Sequence, residues 1–319
     1  MARKQPKEVR RVTNIGSGAI GGGWSAHFLA HGYRVTTYLH DAAEEGPLRQ
    51  LVETAWVSLE ALGLAPGASL DNLTCTTDLA KACAEADFVQ ESVPENLDLK
   101  QAVYEKLGDL VPADVVIASS TSGLSMTDIQ ARCSTPERTV VAHPFNPPYL
   151  LPLVEMIGGA RTAPETVAWA AEFYRLVGKA PLVMERELPG FIATRLQEAL
   201  WREALHMVAN GEATVEQIDL AVANGPGPRW AVMGPCMAFH VASGEGGMAH
   251  NLDHFGPALK LPWTRLEAPE LSQELRDRMV DGCAREAGGR DFTTLAEERD
   301  RALANVLKAV RQSRADSNG

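Results

Sequence analysis

The fold of this chain is decided by residues 9–39, which read VRRVTNIGSGAIGGGWSAHFLAHGYRVTTYL. The apolar and β-branched residues at 9–15 predict a strand. A glycine-rich turn follows, and then a helix from about residue 20 to residue 30, which Gly32 ends. A second strand is predicted at residues 34–39. This order is a β-α-β unit, in which two parallel strands are joined by a crossover helix.

The turn at residues 16–21 has the spacing G-x-G-x-x-G of dinucleotide-binding folds. In such a turn, Gly16 permits the tight bend, Gly18 lets the backbone approach a pyrophosphate, and Gly21 lets the helix pack on the strand. The amino terminus of the helix then stabilises phosphate charge through its free N–H groups and its dipole. We therefore expect a cofactor pyrophosphate to bind at Gly16, Ser17, Gly18, Ala19, Ile20 and Gly21.

The residue at the end of the second strand helps to distinguish NAD from NADP as the cofactor. Folds of this kind usually place a carboxylate there, and it binds the adenosine ribose. Leu39 occupies that position, and the next acid is Asp41. Asp41 could bind the cofactor or could cap a helix, and the sequence leaves both roles open. Because no arginine stands there to receive a 2′-phosphate, NAD is expected rather than NADP.

The apolar pattern continues as alternating strands and helices to residue 188. Strands are predicted at residues 73–76, 86–92, 115–120, 138–143, 153–157 and 180–184, and helices at 47–62, 97–107 and 166–176. Beyond Pro189 and Gly190 the patterns are helical, at residues 190–210, 214–224, 234–243, 270–286 and 293–312. We predict an α/β fold in which residues 1–188 form a Rossmann-type doubly wound sheet that binds NAD. An all-α domain for substrate binding and dimerisation follows at residues 189–319.

The first helix of this second domain is the strongest candidate for an interface. Residues 191–210 carry apolar side chains on several faces of the predicted helix. A helix that is apolar on several faces is usually buried. We therefore expect this helix to be buried, in part by a homodimer interface.

The bulk composition restricts the class of protein. Of the 319 residues, 45% are hydrophobic and 22% are charged, which is the balance of a globular protein with ample core. The net charge of −11 disfavours nucleic acid and anionic membranes as partners, and no stretch approaches the length of a membrane span. The five cysteines are scattered and include no C-x-x-C pair, and the i, i+4 histidine pairs have no obvious third ligand. We expect a cytoplasmic protein without a metal site.

Three residues with hydrogen-bonding or acid–base chemistry lie at the ends of predicted strands or on them. Ser122 comes just after one strand, His143 ends the next, and Glu155 lies on the strand that returns. Four prolines stiffen the loop at residues 144–152. A braced histidine with a carboxylate is what a general base and its orienting group require. This set predicts alcohol oxidation: His143 takes the hydroxyl proton, Glu155 fixes the ring, and Ser122 hydrogen-bonds the substrate oxygen.

Three motifs carry a family resemblance, namely SSTSGL at residues 119–124, HPFNPPYLLPLVE at 143–155 and LPGFIATR at 188–195. In this order and spacing they resemble the 3-hydroxyacyl-CoA dehydrogenase superfamily, and the resemblance covers nearly the whole chain. It implies that Ser122, His143 and Glu155 are the catalytic residues.

The resemblance also implies residues that contact the cofactor and the substrate. Glu95 and Lys100, in ESVPENLDLK at residues 91–100, match cofactor-contacting positions of the family. Asn146 matches a residue near both the nicotinamide and the substrate. One position departs from the family: Thr194 stands where an asparagine is common before the arginine of the third motif. Threonine can still form a hydrogen bond to the substrate, but it is shorter.

The expected substrate is a small zwitterionic or anionic 3-hydroxy acid. Acyl-CoA enzymes of the family resemble one another in a lysine-rich helical arm, but residues 41–80 of this chain hold seven acidic residues and one basic residue. Such a surface disfavours an anionic nucleotide such as CoA. The motifs RWAVMGP at 229–235 and GEGGM at 244–248 are similar to a branch that oxidises a 3-hydroxy acid carrying a trimethylammonium group.

An aromatic cage would suit such a cation, because quaternary ammonium groups bind aromatic faces. The cage candidates are Tyr149, Phe191, Trp201, Trp230 and Phe239, and the candidate donors to the substrate carboxylate are Ser122, Arg195 and Arg229. Substrate contacts are predicted at Ser122, Asn146, Phe191, Thr194 and Trp230. The alternatives that remain are a 3-hydroxyacyl-CoA dehydrogenase, an L-gulonate 3-dehydrogenase, and a non-enzymatic crystallin-like or NAD-sensing protein.

Overall fold

The computed structural model describes residues 3–264 and 272–291, together with residues 294, 295, 298, 305, 306 and 309. By the contacts among its residues the chain divides into two compact units, Met1–Leu196 and Gln197–Gly319. The helix expected at residues 293–312 lies almost wholly outside the described residues. No described helix is both long enough and apolar enough to cross a membrane.

The first unit is built on an eight-stranded sheet. Its strands are β1 (Arg11–Ile15), β2 (Arg34–Tyr38), β3 (Leu73–Thr76), β4 (Phe88–Glu91), β5 (Val116–Ser119), β6 (Thr139–Pro144), β7 (Leu153–Ile157) and β8 (Ala180–Val183). Their spatial order is β3-β2-β1-β4-β5-β6-β7-β8, and every neighbouring pair is parallel except β6 and β7. The strand order reverses between β1 and β4, which is where doubly wound sheets bind their ligands. The predicted Rossmann-type sheet is confirmed.

Helices pack on both faces of this sheet. They are α1 (Ala19–Ala30), α2 (Glu45–Leu62), α3 (Leu79–Cys83), α4 (Leu97–Leu110), α5 (Met126–Ile129) and α6 (Pro164–Leu176), and α7 (Ala193–Ala209) follows. Successive residues of a strand point to opposite faces, so Val116 and Ala118 belong to one apolar cluster while Ile117 belongs to the other. Burial of both faces is why these strands read as nearly continuous apolar runs.

The second unit is helical, as predicted. It contains most of α7, and its further described α-helices are α8 (Val215–Asn224), α9 (Pro226–Trp230), α10 (Pro235–Ala242), α11 (Gly247–Phe255) and α12 (Gln273–Ala287). The sequence did not predict α9 or α11. Gly244 and Gly247 have positive φ values of 64° and 55°, so they turn the chain sharply between α10 and α11. Met237, Val241 and Met248 lie in the core of this unit.

Helix α7 corrects one expectation. It was expected to be buried, but none of its residues is buried in this chain. Its large apolar side chains are between 43% and 59% exposed, namely Leu196, Leu200, Trp201, Leu205 and Val208. An apolar stripe does not reveal whether the same chain or a second copy covers it, so burial of α7 in a homodimer interface stays a prediction.

Candidate active site

The glycine-rich turn connects β1 to α1 at the edge where the parallel strands end. Gly16 has a φ of 111°, and its N–H donates to the carbonyl of Tyr38, 3.1 Å away. A Cβ on Gly16 would lie 2.7 Å from the carbonyl oxygen of Ser92, and one on Gly21 would lie 2.1 Å from the carbonyl oxygen of Gly16. A Cβ on Gly18 would meet no atom within 4 Å. The neighbouring backbone therefore leaves no room for a side chain at Gly16 or Gly21, whereas the space beside Gly18 is open. This open space fits a pyrophosphate bound next to Gly18.

The end of β2 differs from the usual ribose site. Leu39 is buried in the core, and its N–H donates to the carbonyl of Thr76. Asp41 Oδ1 accepts from the N–H of Ala43 at 2.8 Å and so caps the short 3-10 helix Ala42–Glu44. The capping role that the sequence left open for Asp41 is thus present, while its proposed contact with the cofactor stays a prediction.

His143 and Glu155 are brought together by strand pairing. They stand directly opposite each other on the antiparallel strands β6 and β7. The Nδ1 atom of His143 lies 3.0 Å from Oε2 of Glu155. A carboxylate only accepts hydrogen bonds, so it favours the proton on Nδ1 and leaves Nε2 able to accept a proton. This is the arrangement of a general base with its orienting carboxylate.

Further donors hold Glu155 in place. Its Oε1 accepts from the N–H groups of Ile192 at 2.8 Å and Ala193 at 2.6 Å, at the amino terminus of α7. Its Oε2 lies 3.4 Å from the hydroxyl of Thr194, which donates to it. Burial by itself would raise the pKa of Glu155, but the hydrogen bonds from His143, Ala193 and Ile192 hold it below its ordinary value. Glu155 is therefore an anion at neutral pH although its side chain is fully buried.

The backbone conformation before α7 orients the N–H groups of Ile192 and Ala193 toward Glu155. Gly190 and Phe191 both have positive φ values, of 68° and 50°. A left-handed conformation is uncommon for a residue with a bulky side chain, so tertiary packing must hold it. The Phe191 ring is buried, and its centroid lies 5.7 Å from that of His143. The ring of Phe145 lies 5.2 Å from the same imidazole. Sequence reasoning did not find the N–H donors, because no pattern marks a phenylalanine with positive φ.

The other aromatic candidates are distributed differently. Tyr149 packs on the core of the first unit. Trp201, Trp230 and Phe239 lie in the second unit and are between 40% and 57% exposed. Their role in substrate binding remains a prediction, as does that of Arg195 and Arg229.

Ser122 and Glu95 lie together above the ends of β4 and β5. Oε1 of Glu95 accepts from the hydroxyl of Thr121 at 2.6 Å, from the N–H of Ser122 at 2.9 Å and from the hydroxyl of Ser122 at 3.2 Å. The ammonium of Lys100 lies 3.6 Å from Oε2. Burial would raise the pKa of Glu95, but these hydrogen bonds and the Lys100 charge lower it. An ionised Glu95 thus borders Ser122, which ends up at the same edge of the sheet as His143.

Lys100 has a buried partner that the sequence reading missed. Its ammonium lies 2.8 Å from Oε1 of Glu91, and both side chains are almost fully buried. The hydroxyl of Ser119 donates to the other oxygen of Glu91 at 2.6 Å. Glu91 ends β4, so its place at the strand end was the available signal. The pair anchors α4 beneath the loop that carries Glu95.

The loop after β6 carries Asn146 and is held from below by Lys179. Asn146 is exposed. The ammonium of Lys179 donates to the carbonyls of Pro148 and Leu151, the second at 3.1 Å, and lies 5.1 Å from the centre of the Trp24 ring. Burial lowers the pKa of Lys179 to about 8. Sequence reasoning did not single out Lys179, since a lone lysine before a strand has no distinctive pattern.

Comparison with known proteins agrees with this geometry. Residues 11–188 match the model of the 3-hydroxyacyl-CoA dehydrogenase NAD binding domain, and residues 190–282 match that of the 3-hydroxyacyl-CoA dehydrogenase C-terminal domain. The L-carnitine dehydrogenase of Streptomyces griseus subsp. griseus is 61% identical over 96% of this chain and 91% of its own length. That of Pseudomonas putida is 47% identical over 97% of this chain and 96% of its own length.

A solved structure shares the fold over nearly the same extent. It is the NAD+-dependent 5-formyl-3-hydroxy-2-methylpyridine 4-carboxylic acid 5-dehydrogenase, with a TM-score of 0.73 and 31% identity. The match covers 95% of this chain and 99% of that chain. Together with the matched models and the carnitine dehydrogenase relatives, this shows that the chain belongs to the 3-hydroxyacyl-CoA dehydrogenase family, with NAD as its cofactor.

Proposed function

We propose that this chain oxidises the 3-hydroxyl of L-carnitine to the 3-ketone with NAD. The observation that carries the proposal is the match to L-carnitine dehydrogenases from several bacteria, at 47–61% identity over almost the whole chain. The site supports the reaction class, because it joins a dinucleotide turn to a histidine–carboxylate pair at one edge of the sheet.

In the proposed reaction His143 is the general base. Its Nε2 takes the proton of the substrate hydroxyl, and the imidazolium that forms is stabilised by the Glu155 anion on Nδ1. NAD, when bound, supplies the acceptor for the hydride that leaves carbon 3. The products are the ketone, NADH and a proton, which His143 passes on to solvent. Glu155 stays ionised throughout, because four donors surround it.

Substrate recognition is proposed to use groups around this pair. Ser122 and Asn146 hydrogen-bond the reacting oxygen or the carboxylate of the substrate, and Thr194 borders Glu155. Phe191 forms an apolar wall beside the imidazole. Trp230 is proposed to contact the trimethylammonium group. We take residues 1–188 as the NAD-binding domain and 189–319 as the substrate and dimerisation domain.

A comparison of three substrates tests the proposed function. NADH formation is measured with L-carnitine, 3-hydroxybutyryl-CoA and L-gulonate at equal concentrations. We expect L-carnitine to have the highest kcat/KM. Preference for the CoA ester would overturn the substrate assignment, and preference for L-gulonate would exclude a cation-binding site. Binding of NAD without turnover of any of the three would favour a structural or sensing protein.

We also propose that the enzyme is a cytoplasmic homodimer. The apolar side chains of α7 recur at i, i+4 spacing, as at Leu196 and Leu200, and at Trp201 and Leu205, and they are exposed in the single chain. A second copy of the chain would bury this stripe. The five cysteines are scattered along the sequence and include no C-x-x-C pair, which suits a reducing compartment. Leu205→Asp should give a monomer by light scattering, and an unchanged mass would remove α7 from the interface.

A further inference from the structure

Glu44 stands beside the glycine-rich turn, although no motif marks it. Its Oε2 accepts from the hydroxyl of Ser17 at 2.5 Å and from the N–H of His40 at 3.2 Å. Ser17 belongs to the turn after β1, and His40 follows the end of β2. The carboxylate therefore spans the ends of these two neighbouring strands. This is where a dinucleotide-binding fold presents a carboxylate to the adenosine ribose.

The neighbouring acids are engaged elsewhere. Asp41 caps the short helix that contains Glu44. Glu45 forms an i, i+4 ion pair with Arg49 at 2.8 Å. The usual ribose position is held by Leu39, whose side chain is buried in the core. Of the residues that follow β2, Glu44 is thus the one whose carboxylate touches the phosphate-binding turn.

We propose that Glu44 recognises the adenosine ribose of NAD and is the residue that discriminates against NADP. Ser17 and His40 fix Oε2, which orients the carboxylate to accept a hydrogen bond from a ribose hydroxyl. An anion at this place repels a 2′-phosphate. Arg49, the one basic residue in the acidic stretch at 41–80, is paired with Glu45 and so does not compensate that repulsion.

A carboxylate at Glu44 also accounts for the absence of an acid at position 39, where Leu39 stands. Moving the carboxylate onto the helix after β2 lets an apolar residue end the strand and join the core beside Leu48 and Val52. The proposal rests on NAD as the cofactor but not on L-carnitine as the substrate. A binding experiment without substrate therefore keeps the two questions separate.

The test is a titration of purified protein with NAD and with its analogue that lacks the adenosine 2′-hydroxyl, followed by calorimetry. In the wild type NAD should bind about 10- to 100-fold more tightly than the analogue, the range for a hydrogen bond to a charged group. In Glu44→Ala this ratio should fall to about one. The matched control Glu45→Ala should keep the wild-type ratio. Because partial unfolding weakens both ligands equally, the ratio is insensitive to a loss of stability.

Two further measurements complete the experiment. Glu44→Gln, which preserves shape and one acceptor, should give a ratio between those of the wild type and Glu44→Ala. NADP should bind the wild type weakly, and Glu44→Ala should narrow the gap between NAD and NADP by about tenfold. An unchanged ratio in Glu44→Ala would overturn the proposal. The proposal would also be overturned if Asp41→Ala lost the preference for NAD over the 2′-deoxy analogue while Glu44→Ala kept it. In that case Asp41 would hold the ribose.

Discussion

Replacing Glu155 by glutamine tests how the His143 ring is held. The carboxylate accepts from His143 Nδ1 at 3.0 Å, from the N–H groups of Ile192 and Ala193 at 2.8 and 2.6 Å, and from the Thr194 hydroxyl at 3.4 Å. Glutamine has the same shape, but one of its two terminal groups is a donor. In either orientation that NH₂ group faces a donor.

The two orientations have different consequences. If the amide oxygen stays on Ile192 and Ala193, the NH₂ group faces His143 and forces the proton onto Nε2, which then cannot act as the base. If the amide is reversed, two buried N–H groups lose their acceptor, at about 1–3 kcal/mol each. The first orientation is therefore favoured. We expect kcat to fall by about 10²- to 10⁴-fold, which is the contribution of a general base. The kcat of Glu155→Gln should not fall below that of His143→Ala.

The assay is steady-state formation of NADH with L-carnitine, with NAD affinity measured in parallel. NAD affinity should stay within about twofold of the wild type, because Glu155 lies on β7 while the turn lies after β1. Glu105→Gln makes the same chemical change at an exposed carboxylate and should leave kcat unaltered. A kcat for Glu155→Gln within about threefold of the wild type would refute the proposed role of the pair.

Other predictions concern the cofactor turn and the core. Gly18→Val should leave the free energy of unfolding unchanged within about 0.5 kcal/mol and weaken NAD binding at least about tenfold, because its side chain enters open space above the turn. Gly21→Ala should instead destabilise the fold by about 1–3 kcal/mol in urea unfolding, and a stable variant would contradict the contact with Gly16. Arg138→Met should reduce the free energy of unfolding by about 3 kcal/mol or more, since the buried guanidinium donates to four main-chain carbonyls. The pKa of Lys179 falls from 10.5 to about 8 on folding, so the unfolded chain binds more protons between these values. The contribution of Lys179 to the free energy of unfolding should therefore increase as the pH rises from about 8 to 10.5. Lys179→Met should abolish this pH dependence.

The sheet and the candidate site at the ends of its strands were predictable, because the sequence features that mark them are local. The glycine spacing specifies the turn after β1, and apolar runs bounded by turn residues identify the strands. Placing His143 at a strand end and Glu155 on the returning strand was enough to predict that they meet. Their direct opposition depends on the register of β6 and β7, which follows from burying both faces of those strands.

Features that depend on tertiary packing were not predictable. The N–H groups that hold Glu155 are aimed by a phenylalanine in a left-handed conformation, which sequence preference disfavours. Glu44 reaches Ser17 only because a short 3-10 helix follows β2. The exposure of α7 also could not be deduced, since periodicity reveals an apolar stripe and not its partner. In each case the missing information is how separate elements pack.

In the proposed reaction, hydride leaves carbon 3 of L-carnitine for NAD at this site. This transfer is tested most directly with L-carnitine that carries deuterium at carbon 3, incubated with the enzyme and NAD. We predict that mass spectrometry of the NADH formed will show one deuterium per molecule, together with the 3-ketone. Formation of NADH without deuterium, or no NADH at all from L-carnitine, would contradict the account.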